Sequence, residues 1–150
     1  MTVHPTPGLV LRDATEGDVA LTYAITEDAM RGYVEKTWGA WDAHEERKKH
    51  ARSFTPASHK IILADGAVAG CVAIEDFPTY TWLVKIYLLS QFRNFGIGST
   101  LLRQFIGQSA VDQKPLRLQV LRVNRRAQKL YFQHGFKIAH ETADRLFLQI

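Results

Sequence analysis

Apolar and polar residues alternate over Leu9 to Thr15 (LVLRDAT), the period of a half-buried strand. The next stretch, Glu16 to Met30, changes period: Val19, Tyr23, Thr26 and Met30 recur at helical spacing. A second helix is expected from about Asp42 to Ser53, with Pro56 just beyond its end. KIILA, the turn Asp65-Gly66 and AVAGCVAIED then form the clearest hairpin signal in the chain. Pro78 breaks that run. Trp82 to Leu89 follows as an almost wholly apolar strand, which predicts a central place in a sheet covered on both faces.

From Gly96 to Ser109 a stripe of Ile97, Leu101, Leu102, Phe105 and Ile106 marks a third helix. Leu116 to Leu121 alternates as a strand. Ala127, Leu130, Tyr131 and His134 give a shorter helix that Gly135 ends, and FKIAHE and RLFLQI make two closing strands around Ala143-Asp144. The predicted order is βααβββαβαββ, a mixed α/β sheet with helices on both faces and no internal repeat or linker. One domain, residues 1–150, is expected, with residues 1–8 as a tail.

Composition narrows the class without naming a function. Apolar residues make up 46% and charged residues 23% of the 150, close to globular averages, so neither disorder nor a membrane span is indicated. The opening MTVHPTPG has no basic segment followed by an apolar one, which makes the cytoplasm the expected location. Cys71, alone of its kind, lies in an apolar run and reads as a packed strand residue. The net charge of +4 is compatible with anionic partners, but the basic cluster Glu46 to Arg52 is mixed with acids and reads as a solvated helix face. Nucleic acid is not an expected partner, and the six histidines show no metal-site spacing.

Chemistry concentrates where the apolar strand meets the third helix. RNFGIGS, Arg93 to Ser99, places Gly96 and Gly98 at a helix start, where free backbone N–H groups and the helix dipole attract an anion. Arg93 adds charge and Ser99 a hydroxyl. The loop lacks the lysine of a Walker motif, and it follows a hairpin in mid-chain rather than the first strand of a dinucleotide fold. A tight strand-to-helix turn without a ligand is the alternative.

Downstream, VNRRAQKLYFQHGF sets Asn124 before a helix, Ala127 and Tyr131 along it, and Gly135-Phe136 after its end. Together, Arg93-x-x-Gly96-x-Gly98 and Asn124, Ala127, Tyr131, Gly135 and Phe136 resemble the GCN5-related N-acetyltransferase (GNAT) family. Asn94 departs from the glycine many relatives have, although asparagine tolerates a left-handed backbone. The resemblance implies a mostly antiparallel central sheet whose strands on either side of the loop and its helix splay apart. It implies acetyl-CoA as co-substrate and no metal. Backbone groups near Leu88 would pair with the pantetheine arm and serve the oxyanion. The N–H groups of Asn94, Phe95, Gly96, Ile97, Gly98 and Ser99 would hold the pyrophosphate. Asn124 would touch the pantetheine, and Tyr131 would protonate the sulfur.

The remaining roles rest on residue chemistry. Glu75, near the end of its strand, is the expected base for the amine. Tyr33, Trp38 and Trp41, close to Glu35, Asp42, Glu45 and Glu46, are the expected acceptor pocket, because aromatic walls with carboxylates suit a cationic amine. The expected activity is acetyl transfer to a primary amine of a small molecule or protein, by direct attack without a covalent enzyme intermediate. A non-catalytic acyl-CoA sensor of the same fold is the alternative, and a homodimer is compatible with either.

Overall fold

The computed structural model describes residues 7–150; most of the expected tail, residues 1–6, lies outside the described residues. Seven strands and four helices follow in the order β1 (Leu9–Asp13), α1 (Val19–Trp38), α2 (Ala43–Ser53), β2 (His59–Ala64), β3 (Ala67–Asp76), β4 (Thr81–Leu88), α3 (Ile97–Val111), β5 (Leu116–Leu121), α4 (Arg125–Gln133), β6 (Lys137–Glu141) and β7 (Arg145–Gln149). This is the order the sequence predicts. The largest difference is in α1, which runs two turns past Met30 to Trp38. Those turns carry few apolar residues, and Arg31 bonding Glu35 at 3.1 Å supports them on the exposed side.

The sheet order is β1-β2-β3-β4-β5-β7-β6, antiparallel except between β4 and β5. Asp65 and Gly66 turn β2 into β3 with φ of 49° and 86°, the left-handed pair that a two-residue hairpin requires. β4 lies at the centre, as its apolar run predicts. Its pairing with β5 covers only Thr81 with Leu116 and Trp82 with Arg117, after which the strands part. The central strands are therefore splayed.

Alternation along β2 and β3 sorts the core onto two faces. Ile62 and Val72 join Leu101 and Leu102 of α3 and Tyr131 of α4. Ile61 and Cys71 pack with Ile25 of α1 on the other face. Cys71 is fully buried, and burial pushes its thiol up to about 11, which keeps it a neutral packing group.

Two histidines are buried, His50 on α2 and His59 at the start of β2. His50 Nε2 is 2.8 Å from Thr22 Oγ1, and its ring stacks on Phe54 at 5.6 Å. Burial, then the charge of Lys85, pushes His50 down to about 4. His59 is also pushed down by burial. The unfolded chain therefore binds protons that the folded one refuses, so stability should fall as pH drops from about 6.5 towards 4. His50 alone should account for about 2 kcal/mol, read from urea midpoints at pH 7 and 4.5, and His50→Gln should flatten the slope. Asp18 does not confound this window: hydrogen bonding from Arg12 holds it at about 2, so its contribution is lost only at lower pH.

Candidate active site

β4 leads into the glycine loop through a single turn of 3-10 helix, Ser90–Phe92. Asp28 of α1 ties this turn down, accepting from Ser90 N at 3.0 Å and pairing with Arg93 at 3.5 Å. Arg93 Nε also donates to the Leu88 carbonyl at 3.2 Å, so this arginine closes the loop on itself. Asn94 has φ of 70° and Gly96 φ of 79°. The left-handed asparagine is the tolerance expected of it, and Gly96 caps α3.

The first bond of α3 runs from Thr100 N to Gly96 O at 3.0 Å, leaving Ile97, Gly98 and Ser99 N–H without intrahelical acceptors. A Cβ on Gly98 would meet only Leu130 at 3.6 Å and Leu88 at 3.9 Å, ordinary contact distances. The fold alone does not demand glycine there.

Asn124 Oδ1 accepts from Ala127 N at 3.1 Å, so its side chain caps α4. One turn of helix beyond Ala127, Tyr131 is buried, with its ring edge-on to Phe136 at 5.7 Å. Its hydroxyl has no hydrogen-bond partner among the described residues, and burial pushes it up to about 12.

A cavity of about 560 Å³ joins these parts. One side is the loop and α4: Arg93, Asn94, Gly96, Ile97, Gly98 and Ser99, with Asn124, Ala127, Leu130 and Tyr131. Its floor is the gap between Leu83–Leu88 of β4 and Leu118–Leu121 of β5. The far wall is α1, with Met30, Tyr33 and Trp38, together with Trp41, Glu46 and Arg145. Leu88 lies in the floor. A register shift in β4 sets Leu83 opposite Ile74 and Lys85 opposite Ala73, leaving Val84 bulged beside the gap.

The expected acceptor aromatics all line the cavity, in different states. Trp41 is buried and donates to Glu27 Oε2 at 3.0 Å and to Tyr23 Oη at 3.1 Å. Trp38 is 53% exposed, donates to Asp144 Oδ2 at 3.1 Å and carries the Arg145 guanidinium 4.9 Å over its ring. Of the nearby carboxylates only Glu46 reaches the wall. Glu35 pairs with Arg31, Asp42 caps α2 by accepting from His44 and Glu45 N, and Glu45 pairs with Lys48.

Two expected site residues stand apart. Glu75 is exposed near the end of β3 and does not line the cavity, because the splay opens at the other end of β4. The role of base therefore has no geometric support at this residue. Phe95 also lies outside the lining. Three cations that sequence reasoning missed are in the wall: Lys85, Arg126 and Arg145. Lys85 had a signal, as the one charge in an apolar strand. Arg126 donates to Asn94 Oδ1 at 2.6 Å across 32 residues, and Arg145 arrives from β7, placements without a local signature.

Among the described residues no cluster of His, Cys, Asp and Glu is placed to hold a metal, and no helix is long and apolar enough to cross a membrane.

No curated protein matches the chain by sequence. Among solved structures it resembles an acetyltransferase from Thermus thermophilus (TM-score 0.74, 13% identity, 98% of this chain and 99% of that one). It also resembles PaiA N-acetyltransferase from Thermoplasma acidophilum in complex with coenzyme A (TM-score 0.72, 15% identity, 95% and 98%). A third is Arabidopsis thaliana Naa50 in complex with the bisubstrate analogue CoA-Ac-MVNAL (TM-score 0.68, 16% identity, 95% and 97%). These likenesses concern the fold. The acetyltransferase (GNAT) domain model matches residues 56–138, more than half of the chain, from the lead into β2 through the loop, Tyr131 and the start of β6. With the splayed sheet and the glycine loop at its centre, the chain belongs to the GNAT acetyltransferase family.

Proposed function

We propose that residues 1–150 form a single N-acetyltransferase domain that moves the acetyl group of acetyl-CoA to a primary amine of a small molecule or protein. A cytoplasmic location is part of the same proposal. The observation that carries it is one cavity running from the α3 N-terminus, through the β4–β5 gap, to the aromatic wall of α1, with Tyr131 in its lining.

The residues fit a phosphate-bearing thioester. Ile97, Gly98 and Ser99 N–H offer donors to a pyrophosphate, Gly98 leaves room for it against the backbone, and Arg126 adds charge beside Asn94. Leu83–Leu88 of β4 offer an unpaired strand edge to the pantetheine arm, with Asn124 on the opposite side. Acetyl-CoA brings the activated acyl group.

Direct transfer then needs no enzyme nucleophile: the C–N bond forms as the C–S bond breaks, the amine proton leaves to solvent, and sulfur takes a proton. Tyr131 supplies it. A hydroxyl raised to about 12 stays protonated at neutral pH, so it can act as an acid and is recharged from water. Backbone N–H groups around the Val84 bulge and Leu88 are the oxyanion donors of this proposal.

Release of free thiol from acetyl-CoA across an amine panel tests the reading; tight acetyl-CoA binding without release by any amine would favour the sensor. Gly98→Val supplies a second arm. Its side chain should weaken CoA binding at least tenfold, about 1.4 kcal/mol, with the melting temperature nearly unchanged. Unaltered CoA affinity in the folded variant would remove the phosphate-loop role.

A further inference from the structure

Lys85 is the one charge on β4. It leaves the face of β4 that carries Tyr87, two residues on, whose ring packs with Ile25, Ile61 and Cys71 beneath α1. Its ammonium lies over that ring, 5.8 Å from the centroid, and Lys85 is one of the residues that line the cavity. Among the described residues no hydrogen-bond acceptor engages it, and no carboxylate comes within 4.0 Å. The groups that feel its charge carry no negative charge of their own: Cys71 stays a thiol, and His50 and His59 are held neutral by burial.

Half-burying an ammonium without an anion is costly, and burial pushes the pKa of Lys85 down accordingly. Methionine would fill the same space without that cost. The other cations of the wall are engaged: Arg93 by Asp28, Arg126 by Asn94, and Arg145 by the Trp38 ring and Asp144. Arg93 and Arg126 sit at the glycine loop, whereas Lys85 lies under α1, on the acceptor side. There Glu46 is the one carboxylate in the wall among the described residues, so cations outnumber acids.

We propose that Lys85 binds a carboxylate carried by the acceptor, which makes the preferred acceptor an amino acid rather than a simple amine; this rests on the N-acetyltransferase reading above. Glu46, which pairs with Lys49 at 3.5 Å on the exposed side of α2, then draws the ammonium end of the same molecule in competition with that lysine.

Acceptor pairs that differ only in the carboxylate test it: phenylalanine against phenethylamine, and leucine against isoamylamine, with rates corrected for the fraction of neutral amine. The expected result is a kcat/KM at least tenfold higher for the acids. Lys85→Met should erase the preference by raising the acid's KM and not the amine's, and Lys85→Arg should retain most of it. Equal use of both members by the wild-type protein, which needs no variant to fold, would overturn the proposal and leave N-acetyl transfer standing. So would a Lys85→Met protein whose kcat falls alike for acid and amine, since Lys85 would then serve the chemistry itself. Failure of every amine to release thiol would overturn the transfer reading and this proposal with it.

Discussion

Tyr131→Phe should lower kcat by roughly a hundredfold, equivalent to about 2.7 kcal/mol in the barrier, while acetyl-CoA binds as before. The substitution keeps the ring against Phe136 and removes only the hydroxyl. Among the described residues that hydroxyl has no hydrogen bond to lose, so the melting temperature should hold or rise slightly. A binding role would show in KM for acetyl-CoA, a packing role in stability, and an acid role in kcat alone. Turnover within a factor of three of wild type would make Tyr131 a core aromatic and assign the proton to water. Because burial holds this hydroxyl near 12, its loss should cost the same factor across neutral pH.

Gly70→Ala should be the most destabilising single change at a glycine. A Cβ there would lie 1.9 Å from the Tyr87 carbonyl oxygen and 3.0 Å from Leu88 Cα, both backbone atoms that cannot swing aside. Gly70 pairs with Leu88 at the end of β4 where the sheet opens, so relief requires β3 and β4 to move apart. The cost should be at least about 3 kcal/mol, measured as a shift in the urea midpoint with m unchanged. Any folded fraction should bind CoA poorly, since the displaced segment is the floor of the cavity and the lead into the glycine loop. A loss under about 1 kcal/mol would show that the strands absorb the methyl by local adjustment. Gly98 offers the contrast, because its added Cβ fits the fold and the expected damage there is to the ligand alone.

Much of this protein is written locally. Asp65-Gly66 takes the left-handed pair that makes a hairpin, Leu116–Leu121 alternates and is a strand to the residue, and Gly135, with φ of 96°, ends α4 where its place in the pattern says it should. The glycine loop is legible for the same reason: its helix start and its positive φ at Asn94 and Gly96 depend on residues adjacent in the chain. What surrounds the acceptor is not local. Trp38 meets Asp144 across 106 residues, and which of the acids near it reach the cavity depends on partners elsewhere on α1 and α2. Glu75 shows the same limit from the other side. Its position near a strand end is readable, but which end of β4 the sheet opens at depends on where β5 stops pairing. Periodicity reports which face of an element is buried, through side chains a turn or a pleat apart. It carries no information about which distant element covers that face. The open gap between β4 and β5, and Lys85 with no acid beside it among the described residues, exist only after seven strands have taken their order.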